Sequence, residues 1–257
     1  PVDGILVVHG DDPVIAQIVP MLHRGVTTFG RSEKSQFHLL KSDWKDGRQH
    51  FSFTNDGTAH EWTIRLPGEY NTLNALAATA MARALGVPWE KIEKAVADFT
   101  GVARRFEHVG EFNGALLIDD FAHHPTEVAA AISAARQEYP TKRIVVVFHP
   151  HTYSRTKALL DNFAKSLALA DEVIVMEIFG SAREKERTVS AADVVKKIPM
   201  EKKPQVLAAP KDVAGYLRNH LSGNDIVLLL GAGEQWRVAG ELRNEEGEKG
   251  RGNKKKV

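Results

Sequence analysis

The stretch Ala115-Leu116-Leu117-Ile118-Asp119-Asp120-Phe121-Ala122-His123-His124-Pro125-Thr126-Glu127-Val128-Ala129 changes character twice. Its apolar start predicts a buried strand, and Glu127-Val128-Ala129-Ala130-Ala131-Ile132 predicts a helix. Pro125 suits the first helical position, where its missing N–H costs nothing, and Glu127 suits the positive first turn. Asp119, Asp120, His123, His124 and Glu127 then crowd the carboxyl end of a strand. In an open α/β sheet that edge is where ligands bind. Asp120 could accept bonds from ribose hydroxyls, and the two histidines could move protons, orient substrate or bind metal; helix capping by polar side chains is the simpler reading.

A second junction follows the same pattern. Ile144-Val145-Val146-Val147-Phe148 runs into His149-Pro150-His151-Thr152-Tyr153-Ser154-Arg155-Thr156, with Ser154 the expected N-cap. A guanidinium at a helix start could clamp a carboxylate bidentately, aided by the helix dipole. From Phe106 onward strands are predicted near 106–111, 115–119, 143–148, 172–176, 205–208 and 225–230. Helices are predicted near 125–138, 156–168, 190–198, 210–221 and 233–243. Such alternation argues for a Rossmann-like, mostly parallel sheet with crossover helices. Gly231-Ala232-Gly233-Glu234-Gln235-Trp236 opens like a dinucleotide fingerprint but has Trp236 at the third glycine position, so it reads as a tight βα turn.

Upstream the pattern differs. Strands are expected at 5–8 and 26–29, with a short helix from Pro13 capped by Asp12. Three β-like runs near 36–44, 49–53 and 60–66 are separated by Lys45-Asp46-Gly47 and Asn55-Asp56-Gly57, the latter a hairpin signal. Residues 70–86 and 88–98 read as helices. Asn71 and Asn74 stand three apart and share a face of the first turn; a carboxamide matches the N6/N7 edge of adenine, while capping and solvation are the plain alternative. Arg104 and Arg105 could serve phosphate or form a solvated strand edge. The boundary is expected between Gly101 and Phe106, dividing the chain into 1–105, 106–244 and a charged tail, 245–257, read as disordered rather than as a functional arm.

Composition narrows the classes. The chain has 257 residues, 43% of them hydrophobic, enough for real cores. Its 34 basic and 33 acidic residues nearly cancel, giving no case for a nucleic-acid partner. It has no cysteine, which removes disulfide scaffolds and thiolate zinc sites and suits a reducing cytoplasm. No stretch suits a membrane span or a signal peptide. The first residue is Pro1, which hints at processing or a fragment.

Taken in order, the motifs around Pro67-Gly68-Glu69-Tyr70-Asn71, Gly101 to Glu107, Ile118 to Glu127, Phe148 to Thr156, Ile178 to Glu184 and Gly231 to Glu234 resemble the Mur ligases. The likeness runs from about Val2 to Arg243. It implies ATP-dependent amide formation in peptidoglycan synthesis: ATP phosphorylates the carboxylate of UDP-N-acetylmuramate, and the amine of L-alanine displaces phosphate from the acyl phosphate. It further implies that Asn71 and Asn74 belong to an adenine-binding helix, Arg105 to a phosphate contact and Asp120 to the ribose. His124 and Arg155 become catalytic candidates, with His123, His151 and Arg155 binding the amino acid. By the same resemblance this chain is the end of a central ATPase-type α/β domain with a small β-rich portion, followed by the amino-acid-binding domain. No P-loop occurs in it, so that loop, most Mg²⁺ ligands and the amino-terminal region are expected upstream, and the chain alone is expected to be inactive. A tripeptide-recycling ligase, a histidine metallohydrolase using His123, His124, His149 and His151, and a non-catalytic binding fragment are the rival readings.

Overall fold

The computed structural model describes residues 4–182, 184, 187–199, 201 and 204–243. The charged tail and Arg183 lie outside them. The chain divides into two compact units, Pro1–Gly101 and Val102–Val257.

The first unit carries one five-stranded sheet in the order β1 (Ile5–His9), β2 (Gly25–Gly30), β3 (Phe37–Lys45), β4 (Arg48–Asn55), β5 (Thr58–Ile64). β1, β2 and β3 are parallel, whereas β3, β4 and β5 form an antiparallel meander. The turns of that meander are local chemistry. Asp46 and Gly47 have φ of 52° and 71°, and Asp56 and Gly57 have 49° and 76°; two consecutive positive φ values match the right-handed twist of a hairpin, and Asp-Gly tolerates them. Alternation then selects the buried face: Phe37 and Leu39, Phe51 and Phe53, Trp62 and Ile64. This face packs with Leu76 and Ala80 of α2 (Glu69–Ala84) and with Ile92 and Val96 of α3 (Trp89–Asp98). In α1 (Pro13–Ile18), Asp12 accepts from the Val14 and Ile15 amides as its sequence position suggests.

The second unit is a six-stranded sheet in the order β10-β9-β8-β11-β7-β6. In chain order it contains β6 (Glu107–Phe112), β7 (Ala115–Asp120), α4 (Pro125–Glu138), β8 (Arg143–His149), α5 (Tyr153–Ala158), α6 (Leu160–Leu167), β9 (Glu172–Val175), α7 (Ala191–Lys197), β10 (Gln205–Val206), α8 (Pro210–Arg218) and β11 (Asp225–Gly231). Residues 237–243 are again helical, a later start than the expected 233. Only the edge strand β6 is antiparallel. The expected mostly parallel sheet is therefore present, and β11 is buried along its whole length between β7 and β8. A strand covered on both faces reads as a continuous apolar run, as Ile226-Val227-Leu228-Leu229-Leu230 does.

Because β11 is the last strand but sits in the middle, winding from β8 runs outward through β9 to β10 and then returns. The ends of β7 and β8 thus flank the switch point of the sheet. At the opposite, amino end, Arg143 donates to both oxygens of Asp225 at 2.7 and 3.0 Å and to Glu172 at 3.2 Å, and the Tyr216 hydroxyl donates to Glu172 at 2.7 Å. That network stabilises the floor and keeps its two buried carboxylates compensated. A second expected helix differs as well: the segment predicted at 156–168 starts at Tyr153 and is divided at Leu159 into α5 and α6.

Candidate active site

At the β7–α4 junction nearly every polar group is paired at close range. Asp119 accepts from the Arg104 guanidinium at 2.9 Å. Asp120 is buried and accepts the Phe106 amide at 2.8 Å and the Ala122 amide at 2.7 Å. Burial pushes its carboxyl up to about 6 against the pull of those two amides. A ribose hydroxyl would have to add to this pairing, so the carboxylate first does structural work. Glu127 accepts the His123 and His124 amides at 2.9 and 3.1 Å, while His124 is exposed and its Nδ1 accepts the Thr126 amide at 3.4 Å. His124 is thus the N-cap of α4 in a reciprocal capping arrangement, with Pro125 at the first position. His123 is half-buried, its Nδ1 2.8 Å from the Phe121 carbonyl.

Arg105, expected to meet phosphate, is exposed and lies over the Phe121 ring, 5.6 Å from its centroid. Arg104 takes the structural part: besides Asp119 it reaches the Gly231 carbonyl at 3.3 Å.

The β8–α5 junction is built from distant partners. His149 is buried, and its Nδ1 accepts the Glu234 amide at 2.9 Å. Burial, first, lowers the pKa of its imidazole. A Cβ at Gly233 would run into the His149 ring, and one at Gly231 would come within 2.6 Å of the His149 carbonyl. The glycines of Gly231-Ala232-Gly233 therefore make room for a histidine, in keeping with a tight turn rather than a cofactor loop. Phe179 zips onto the following loop, its amide donating to the Pro150 carbonyl at 2.8 Å and its carbonyl accepting the Thr152 amide at 3.0 Å. His151 stacks on the Phe179 ring, centroids 5.8 Å apart, and meets His123 edge-on at 6.3 Å.

Ser154 is not the N-cap that its position suggests. Thr152 occupies that place at φ 69° with no side-chain bond. The first-turn amides are capped instead by Glu184, which accepts from Tyr153 at 3.0 Å and Ser154 at 2.8 Å. Nothing local in the sequence marks Glu184 for this role.

Within this ordered loop two buried polar atoms have no partner: Nδ1 of His151 and Nη1 of Arg155. Burial, and then the charge of Arg155, lower the pKa of the His151 imidazole. A guanidinium N–H and an imidazole nitrogen, the latter donor or acceptor according to its tautomer, are thus left unpaired within this loop. His123 and His151 come together there, Arg155 acts on His151 through its charge, and His124 and Asp120 are engaged elsewhere. The four histidines do not converge on a metal: among the described residues no group of three or more His, Cys, Asp or Glu side chains is arranged to hold one.

In the first unit, Asn71 is buried and donates to the Pro67 carbonyl at 2.7 Å, and Asn74 is exposed on the same helix. The N-cap of α2 is Gly68, at φ 90°, rather than Asn71. Arg31 donates to both oxygens of Glu69, and Asp11 accepts the Arg31 and Ser32 amides at 2.6 and 2.8 Å. The turn after β2 is thereby tethered to the start of α2. A groove over the outer face of β3 to β5, lined by Lys41, Asp43, His50 and Glu61, contains none of the sequence-predicted residues.

A doubly wound α/β unit with two polar strand-to-helix junctions at its switch point defines a class, the α/β proteins whose ligand edge lies at the carboxyl ends of the strands. Family comparison narrows it. The Mur ligase middle domain matches residues 1–82, and the Mur ligase glutamate ligase domain matches residues 104–233. The chain belongs to the Mur ligase family. It is 39% identical over 248 residues to the UDP-N-acetylmuramate–L-alanine ligase of Alkaliphilus metalliredigens, a match covering 96% of this chain and 54% of that protein. Among solved structures it is similar to UDP-N-acetylmuramate-alanine ligase MurC of Thermotoga maritima, with TM-score 0.75 and 26% identity over 95% of this chain and 52% of that one. The murein peptide ligase of Psychrobacter arcticus, at TM-score 0.67 and 21% identity over 95% of this chain and 52% of that one, shares the fold. The chain spans about half the length of the curated relatives it matches.

Proposed function

We propose that this chain supplies the adenosine and amino-acid ends of an ATP-dependent ligase joining L-alanine to UDP-N-acetylmuramate. The observation that carries the reading is the buried, unpartnered Nη1 of the Arg155 guanidinium, with the likewise unpartnered Nδ1 of His151 in the same loop. A carboxylate accepts from the guanidinium, and from His151 in its Nδ1–H tautomer; the curated relatives that the chain matches are UDP-N-acetylmuramate–L-alanine ligases.

In the proposed reaction the muramate carboxylate takes the terminal phosphoryl of ATP, releasing ADP. The alanine amine then attacks the acyl carbon, loses a proton and expels inorganic phosphate. In this scheme Arg155 and His151 hold the alanine carboxylate and His123 borders the same space; His124 keeps its candidacy through the α4 start that it caps. Asn71 and Asn74 serve the adenine helix, Arg105 the phosphates and Asp120 the ribose side. The first unit, to Gly101, is assigned to the ATP-binding domain and the second, from Val102, to the amino-acid domain, a boundary four residues before the expected one at 105. The family implies Mg²⁺; its ligands, like phosphate activation, are assigned chiefly to the part of the ligase that this chain, about half the length of its curated relatives, does not span. The reaction is placed in the cytoplasm, where ATP is available; no described helix is long and apolar enough to cross a membrane.

The test uses the full-length protein. Phosphate release should require ATP, UDP-N-acetylmuramate and L-alanine together, and Arg155→Ala should raise the alanine KM. An unchanged alanine KM overturns the carboxylate role; turnover with a tripeptide in place of alanine selects the recycling ligase instead. The 257-residue chain by itself is expected to release no phosphate.

A further inference from the structure

The cap of α5 comes from outside its own loop. Glu184 is 30 residues beyond Ser154 in the chain, yet its Oε1 accepts both the Ser154 amide at 2.8 Å and the Ser154 hydroxyl at 2.7 Å. Its Oε2 accepts the Tyr153 amide at 3.0 Å and the Ser181 amide at 3.2 Å. Thr152, at the N-cap position, contributes no side-chain bond. First-turn amides have no partner within a helix, so the orientation of this short helix depends on whatever satisfies them. One carboxylate meets three N–H groups and one O–H, and no other cap of the second unit is drawn from so far along the chain among the described residues. Arg155 sits in that same first turn, one residue after Ser154.

We infer that Glu184 is a positioning residue for amino-acid binding: its carboxylate fixes the first turn of α5 so that the Arg155 guanidinium is already aimed at the substrate carboxylate. The inference rests on the proposed function of Arg155. A carboxylate is required because only acceptor atoms face the donors; an amide in its place turns an NH₂ group onto backbone N–H groups. The pKa of Glu184 agrees, held down to about 2, first by the Ser154 amide.

The test is a set of variants in the full-length protein, with KM measured separately for L-alanine, ATP and UDP-N-acetylmuramate. Glu184→Gln should raise the alanine KM roughly tenfold, the scale of a lost helix cap, and leave the other two within about twofold. Ser154→Ala, which removes one bond of the four, should move the alanine KM in the same direction by less. Arg155→Ala with Glu184→Gln should be no worse than Arg155→Ala alone, because a residue acting only through Arg155 adds nothing once Arg155 is gone. An unchanged alanine KM in Glu184→Gln, an equal rise for all three substrates, or additive losses in the double variant would each overturn the positioning role. If Arg155→Ala itself leaves the alanine KM unchanged, the carboxylate reading fails first, a result distinct from any of these.

Discussion

The two strand-to-helix junctions of the second unit look alike in sequence and are built in opposite ways. After β7, the ionisable groups satisfy one another within a few residues: Glu127 caps α4, His124 completes the cap, and Asp120 is buried on two backbone amides. After β8, the cap and the loop support arrive from Glu184 and Phe179, and Arg155 and His151 are left with unpaired buried atoms. Density of charged residues is thus a poor guide to chemistry. A rigid loop that leaves donors unsatisfied is a better one, because an unpaired buried donor costs free energy until a ligand pairs it. The carboxylates differ in sign too: burial raises Asp120 to about 6, whereas donors lower Glu184 to about 2.

The largest expected effect separates the junctions directly. Arg155→Ala should cost on the order of 2–5 kcal/mol in alanine binding if the charge pair is desolvated, with little loss in an unfolding titration. A KM unchanged from the unsubstituted enzyme would erase the contrast. Asp120→Ala should do the reverse, losing roughly 1–3 kcal/mol of stability because the Phe106 and Ala122 amides lose their acceptor; denaturant midpoints measure it.

The pH dependence sharpens the same point. Asp120 titrates at about 6 when folded against 3.8 as its ordinary value, so its contribution is complete below the unfolded pKa and is lost as pH rises through the folded one. Stability measured between pH 4 and 6 should therefore fall less steeply with rising pH in Asp120→Asn than in the parent; identical slopes would dismiss the raised pKa. Glu184 works the other way, its contribution present above its ordinary 4.5 and lost only as pH falls towards 2.

Smaller effects test the supports. Gly233→Ala should cost about 1–3 kcal/mol, the scale of overpacking, by driving a methyl into the His149 ring. His124→Ala should cost only about 0.5–1 kcal/mol, as for a modest N-cap, and leave the alanine KM alone; a rise in that KM would return His124 to the substrate site.

Where the information was local, the sequence was legible. Asp-Gly turns, Pro125 at a helix start, Asp12 as a cap and the alternation of Phe51, Phe53, Trp62 and Ile64 all rest on dihedral preferences or period-two burial, which a few neighbouring residues specify. The order of motifs was enough for the family. The N-caps at Ser154 and Asn71 failed for the complementary reason. A cap is chosen by competition, and Glu184, 30 residues away, outcompetes Ser154 for the α5 amides, while Asn71 turns to the Pro67 carbonyl below α2.

By itself, then, the sequence determined strands, helices, turns and the residue types at each junction, because backbone sterics and hydrophobic periodicity act over short range. Only the tertiary structure decided that β11 enters between β7 and β8, that Gly233 must stay bare for His149, and which donors remain unpaired. Those depend on partners far apart in the chain, and whether a polar group is free for chemistry is settled only when every neighbour that could satisfy it is in place.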